Sequence, residues 1–168
     1  KEVPEEPKVD FMYKVNELKK QFPEANNFLN MLQKEIGKFL KGQKALEQLI
    51  ILNDKEKSSY LKDCNEEAEQ FLELKLNQMR RKLVLLDAVD ADSEEYSKAT
   101  SDIDGILEEV KEMCDAYGSL LYEVTKMKDS FDIKDPGLVN ATQKLRSIRE
   151  RKEEVDSESI GLFVTKGK

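Results

Sequence analysis

The residues that could carry out chemistry in this chain are few and lie far apart. The sequence has no histidine and only two cysteines, Cys64 and Cys114. Histidine is the commonest general base near neutral pH and the commonest protein ligand of zinc, so both roles lack their usual residue. Glycine-rich phosphate loops and the nucleophile and dinucleotide motifs are also missing from the sequence. We therefore predict no catalytic residue, no cofactor and no metal site, and we expect a protein that is not an enzyme.

Acidic residues crowd one short segment, which suggests a calcium site as one interpretation. The segment contains Asp87, Asp90, Asp92, Glu94 and Glu95. An EF-hand loop needs a central glycine and a glutamate at its last position, and this segment has neither. The favoured interpretation is a soluble turn whose carboxylates oppose the dipole of the helix that follows.

A compact basic cluster, Arg80, Arg81 and Lys82, is a candidate charged surface. One interpretation is a binding patch for phosphate or for an acidic partner. The favoured interpretation is ion pairing along a helical hairpin, as flanking charges do beside a coiled-coil seam. Folding the chain about Ala91 would place three acidic residues opposite the cluster: Asp102, Asp104 and Glu108.

These groups must be positioned by long helices, because the strongest pattern in the chain is helical. Apolar residues recur at alternating steps of three and four from Tyr96 to Phe131. This is the a/d pattern of a coiled coil, kept for about five heptads. A second apolar stripe runs from Leu61 to Leu86. The link between the two stripes is short, so we predict two long helices that lie antiparallel as neighbours.

The whole chain reads as one helical domain with a flanking segment at each end. Residues 1–9 are rich in proline and charge and are predicted to be a disordered lead-in. Residues 10–156 are predicted to form the bundle, with helices at about 10–22, 24–52, 55–89, 93–131 and 136–155. Residues 157–168 form an apolar and charged tail. The predicted fold class is all-α, an elongated antiparallel helical bundle built on a long coiled-coil hairpin.

Several local signals place the helix ends. Asp10 and Asp135 are predicted N-caps, and Asp92 with Glu95 resembles a capping box. The most apolar run of the chain, residues 49–52, is expected to be buried on more than one side. Gly37 and Gly42 cost helix stability and are expected to mark a kink or a close contact between helices.

Composition narrows the class of partner. The net charge of −7 argues against nucleic-acid binding and makes a membrane surface an unfavourable partner. The two cysteines fall on apolar helical faces, so we expect reduced core thiols in a cytoplasmic protein. The chain does not begin with methionine, and we expect it to be part of a larger protein.

The tail contains a candidate partner-binding cluster of four apolar residues: Ile160, Leu162, Phe163 and Val164. A segment this short cannot build its own core. The cluster is therefore expected either to dock on the bundle or to bind a partner protein. A strand added to the edge of a partner's sheet is a further way in which it could bind.

Two short segments resemble the BAG domain, a three-helix module that binds the ATPase domain of Hsp70 chaperones. They are residues 32–42 (LQKEIGKFLKG) and residues 85–90 (LLDAVD). The resemblance implies a co-chaperone role. The Arg-Lys pair with which the last helix of that family contacts the chaperone is missing, because the corresponding segment is Ser97–Ser101 (SKATS).

The function that we expect from the sequence is a scaffold or adaptor domain that binds protein partners in a larger cytoplasmic assembly. Vesicle trafficking, cytoskeletal linkage and chromosome segregation are all compatible with such a domain. The helix seam could also serve a homodimer. Two alternatives are a BAG-like, Hsp70-binding co-chaperone and a curved, membrane-binding helical dimer. The curved dimer needs a basic concave face, which the negative net charge disfavours.

Overall fold

The computed structural model describes residues 9–127 and 131–150 and shows an all-α helical bundle. Helix α1 spans Phe11–Gln21, α2 Asn26–Leu52, α3 Lys55–Ala88 and α4 Glu94–Met127, and α5 covers residues 136–150. A short 3₁₀ helix, Pro23–Ala25, joins α1 to α2. The part of the chain described here contains no strand. The predicted fold class is confirmed.

Side-chain caps fix where the helices begin. The backbone N–H of Tyr13 donates to Asp10 Oδ1 at 2.9 Å, and that of Leu138 donates to Asp135 Oδ2 at 3.2 Å. These two predicted N-caps are confirmed. The cap of α4 is Ser93 and not Asp92, because Ser93 Oγ accepts from the backbone N–H of Tyr96 at 3.1 Å. The predicted Asp92–Glu95 capping box is therefore wrong by one residue.

Helices α3 and α4 form the antiparallel hairpin at the centre of the bundle. Each has 34 residues, a length of about 50 Å. The a/d residues of α4 from Ala99 to Val124 are buried. So are most of the predicted α3 residues, from Leu61 to Leu83, while Leu86 near the turn is half-buried. The hairpin seam is thus confirmed over most of its length.

The other helices pack on this hairpin in fixed directions. Helix α2 runs parallel to α4, because residues later in α2 contact residues later in α4. Met31 and Leu107 line one depression, and farther along both helices a Cβ built on Gly42 lies 3.4 Å from the Tyr117 ring. Helix α1 lies on α2 and α3, where the Phe11 ring packs edge-on against that of Phe39. Helix α2 therefore covers a side of α4 beyond the hairpin seam, which explains why α4 also buries Leu107 and Cys114.

Helix α5 packs beside the start of α3 and runs parallel to it. The hydroxyls of Tyr60 and Thr142 form a hydrogen bond. Farther along both helices, Arg146 Nε lies 3.5 Å from Glu67 Oε1. The buried residues of α5 include Leu138 and Leu145.

Two boundary predictions differ from the structure. Helix α4 was expected to reach Phe131, but that residue lies outside the helix, in the segment 131–135, while its ring is still buried. The apolar run 49–52 was expected to be buried on several sides. Instead Ile51 and Leu52 are 73% and 78% exposed, because α2 ends here and only part of its surface contacts the bundle.

The structure also buries a charged residue that the apolar pattern does not reveal. Lys75 of α3 is 1% exposed, and its ammonium pairs with the carboxylate of Glu109 on α4. The same Nζ lies 3.3 Å from Gln78 Oε1 and 5.2 Å from the centre of the Phe71 ring. Lys75 thus joins the two hairpin helices through a buried charge.

Candidate functional site

A concave surface lies between the parallel helices α2 and α4, and we call it the α2–α4 groove. Its larger part has a volume of about 530 Å³. Every residue lining that part belongs to α2 or α4: Lys38, Phe39, Gly42, Cys114, Asp115, Tyr117, Gly118, Ser119, Tyr122 and Glu123. Gly42 and Gly118 contribute no side chains to this lining, and the rings of Phe39 and Tyr117 beneath it are each 1% exposed.

The floor of the groove is formed by aromatic rings. The rings of Phe39 and Tyr117 are 4.6 Å apart between centroids and are inclined at 61°. Such edge-to-face pairs add stability beyond their buried area. A Cβ on Gly42 would lie 3.4 Å from Tyr117 Cε2, so this glycine marks the close helix contact expected from the sequence. Gly37 has no atom within 4 Å of the corresponding position, and it marks no such contact.

A polar network inside the bundle holds Tyr117 in place. The Tyr117 hydroxyl donates to Asn65 Oδ1 at 2.8 Å. Gln43 Nε2 donates to the same oxygen at 3.1 Å and to Glu69 Oε2 at 2.7 Å. Buried polar groups are costly unless they are hydrogen-bonded, so the network specifies one arrangement of α2, α3 and α4. In the sequence, this network is indicated by Gln43, a glutamine at a core-facing position of α2.

A second, smaller depression lies between the same two helices, nearer the start of α2, and we include it in the α2–α4 groove. It has a volume of about 210 Å³ and is lined by Met31, Lys34, Glu35, Leu107, Glu108 and Lys111. Met31 is 58% exposed, and Tyr122 at the other end of the groove is 64% exposed. Residues spaced by seven lie on one stripe of a helix, so Met31, Lys38 and the exposed Leu52 share a face of α2. Large apolar side chains are therefore exposed along the groove.

Burial disfavours the reactive thiolate form of Cys114, the thiol beside this floor. Burial, followed by the charge of Glu35, raises the pKa of Cys114 to about 12. Burial and then Glu67 raise the pKa of Cys64 to about 11. A reactive cysteine is usually exposed and has a lowered pKa. Both thiols are free and buried, which agrees with the predicted reduced core cysteines.

The structure separates the three residues of the predicted basic cluster. Lys82 Nζ lies 2.8 Å from Asp102 Oδ2, as the hairpin interpretation requires. Burial acts to raise the pKa of Asp102, but the hydrogen bonds and charges of Lys82 and Lys98 outweigh it and leave it lowered. Arg80 lines a depression of about 350 Å³ between α1 and α3, and Arg81 is exposed.

The described residues do not assemble the remaining predicted sites into binding sites. Glu108 lines the α2–α4 groove and, within the described ranges, makes no ion pair with Arg80 or Arg81. No group of three acidic, histidine or cysteine residues in the described chain could hold a metal ion. The apolar tail cluster, Ile160 to Val164, lies outside the described residues.

Comparisons with family models, with curated proteins and with solved structures find no match to this chain. The BAG-like segment 32–42 forms the α2 wall of the groove, and the resemblance stays a prediction. Among the helices described, none is long and apolar enough to cross a membrane.

Proposed function

We propose that this chain is a non-enzymatic protein-interaction domain that works as a scaffold or adaptor in a larger cytoplasmic assembly. Its binding surface is the α2–α4 groove, and its ligand is an amphipathic helix laid along that groove. The observation that carries the proposal is the exposure of Met31 and Tyr122 at the two ends of a concave, helix-lined surface. Grooves between helices commonly bind the apolar face of a partner helix.

The dimensions of the groove fit this type of ligand. From Met31 to Gly42 it extends for eleven residues of α2, about 16 Å or three helical turns. Three turns present one apolar residue per turn at the i, i+3 or i+4, and i+7 positions of a ligand helix. Tyr122 supplies an exposed aromatic ring, a type of side chain that is enriched at binding hot spots.

The charged rim supports a polypeptide ligand over an apolar small molecule. Exposed Lys34, Lys38 and Lys41 follow the α2 side of the groove, and exposed Glu108 and Asp115 follow the α4 side. A charged rim around an apolar centre is the usual anatomy of a protein–protein interface. A cytoplasmic location is part of the proposal, because free buried thiols suit a reducing compartment.

Site-specific photo-crosslinking in the source cell tests the proposal. A benzoylphenylalanine at position 122 places the reactive group in the groove, and the same residue at position 13 is the control. Tyr13 on α1 is as exposed as Tyr122, at 61% against 64%, but lies outside the groove. We expect a discrete crosslinked species from position 122 only, with the crosslink mapped to a helical segment of the bound protein. Equal or absent crosslinking at the two positions would refute the groove as the binding surface.

A further inference from the structure

We propose that the α2–α4 groove binds a second copy of this chain, in a symmetric dimer whose two-fold axis runs along the bundle. This inference rests on the proposed function and names the partner as a second copy of the chain. It follows from the order of charges on the two sides of the groove.

The charges along the two helices have opposite signs at equal heights. In the smaller part of the groove, Lys34 of α2 stands beside Glu108 and Lys111 of α4. In the larger part, Lys38 of α2 stands at the height of Asp115 of α4. Glu35 lies between the two lysines, but its side chain is 14% exposed and pairs with Lys38 at 3.4 Å, so the charges that α2 exposes here are positive, and those of α4 at the same heights are Glu108 and Asp115.

A two-fold axis along the bundle makes these rows face each other. Because α2 and α4 run parallel, such an axis keeps each residue at the same height along the bundle and exchanges the positions of α2 and α4. It places α2 of one protomer over α4 of the other. Lys34 then meets the partner's Glu108, and Lys38 meets the partner's Asp115. By symmetry each contact occurs twice, as in any isologous interface.

The alternative symmetric arrangement is electrostatically unfavourable. An axis perpendicular to the helices would lay α2 on α2 and α4 on α4. The exposed lysines of α2, among them Lys34, Lys38 and Lys41, would then face one another. Facing like charges are costly and serve to exclude wrong arrangements. The charge order therefore selects the dimer with the axis along the bundle.

The face is large enough for a stable dimer. The groove lies within a longer exposed face of α2 and α4; α2 has 27 residues, so this face is about 40 Å long. Two packed helices are about 20 Å wide, which gives a footprint of roughly 800 Å² per protomer, the size of a standard protein interface. The interface would also remove the exposed side chains of Met31 and Tyr122 from water.

Sedimentation velocity of the purified 168-residue chain over a concentration series tests the dimer. We expect a reversible dimer. Lys38→Glu or Asp115→Lys alone should raise the dimer Kd by about tenfold or more, because each creates two facing like-charge pairs. Both residues are exposed, and circular dichroism checks that the variants fold. Lys62→Glu, the same change at an exposed lysine of α3 outside the groove, should leave the Kd unchanged.

Mixing the two single variants gives a sharper test. An equimolar mixture of Lys38→Glu and Asp115→Lys should form heterodimers, because every facing pair is again of opposite sign. A tag on one variant then retains the other. If the substitutions left the dimer Kd unchanged, or if the mixture failed to associate, self-association would involve another face and the inference would be overturned.

The failure of this inference is distinct from failure of the proposed function. If the chain stays monomeric at the highest concentration while position 122 crosslinks to a helix of a different protein, the groove binds a partner and the self-association is wrong. If position 122 crosslinks to nothing and the chain is monomeric, both are wrong.

Discussion

Gly42 of α2 lies against the ring of Tyr117 on α4, where a Cβ would stand 3.4 Å from Cε2 and 3.6 Å from a Leu121 methyl. The same ring packs on Phe39 and, through its hydroxyl, hydrogen-bonds Asn65 on α3. One glycine–tyrosine contact therefore sets the spacing of α2 and α4, and with it the depth of the groove between them.

This contact predicts opposite effects of the same substitution at two glycines of α2. Gly42→Leu should lower the free energy of unfolding by about 1–3 kcal/mol, because the added side chain overpacks against Tyr117 and Leu121. Gly37→Leu should raise it by about 0.5–1 kcal/mol, because nothing lies near its Cβ position and leucine is a better helix former. Urea unfolding measures both. Equal effects at the two sites would contradict the close contact.

The hairpin seam predicts a large effect of a charge at its centre. Val110 is fully buried on α4. Val110→Asp should destabilise the bundle by several kcal/mol, because an unpaired carboxylate would be buried. Ser101→Asp, at an exposed position of the same helix, is the control and should change stability by less than about 0.5 kcal/mol. A thermal melt of the Val110 variant within about 3 °C of wild type would count against the seam.

The buried ion pair predicts an asymmetry between its two members. Glu109→Gln should cost about 1–3 kcal/mol, because the ammonium of Lys75 stays buried after it loses a charged partner. Lys75→Met should be nearly neutral, since the half-exposed Glu109 carboxylate can be hydrated by water. Glu108→Gln, at the exposed neighbouring position, is the control. Chemical unfolding of the three variants measures these differences. If Lys75→Met lowered the free energy of unfolding more than Glu109→Gln, Lys75 would not be the member of the pair that needs its partner more.

The thiols predict a loss of stability at alkaline pH. Burial raises the pKa of Cys64 to about 11 and that of Cys114 to about 12, whereas an unfolded cysteine titrates near pH 8.5. Above about pH 8.5 the unfolded chain releases protons that the folded chain keeps. The free energy of unfolding should therefore fall with rising pH, by up to about 1.4 kcal/mol per pH unit for each thiol, until the folded thiols ionise.

Urea unfolding between pH 7.5 and pH 10 measures this dependence. A variant with alanine at both positions is the control, and its stability should change much less over the same interval. Tyrosines 60 and 117 also have raised pKa values from burial, but free tyrosine titrates only near pH 10, so their contribution begins later. A wild-type stability that is flat to pH 10 would show that the thiols are not buried.

Local signals in the sequence predict the helices and the hairpin correctly because they act over a few residues. Asp10 and Asp135 cap the helices where expected, and the a/d pattern marks the buried side of α4. The error at α4, where Ser93 caps in place of Asp92, is a shift of one residue between two good capping side chains. A heptad pattern describes only one seam, so Leu107 and Cys114, which are buried on the side that faces α2, lie outside it.

The sequence alone determined that the chain is a bundle on a coiled-coil hairpin, because periodicity, caps and a short turn dictate how adjacent helices pair. Tertiary structure decided which surfaces stay open. Lys75 is buried although lysine is usually exposed, and Leu52 is exposed although leucine is usually buried. Burial depends on which distant helices cover a position. The α2–α4 groove arises in the same way: helices separated by all of α3 lie side by side, held at the Gly42–Tyr117 contact. No pattern local to either helix encodes that placement.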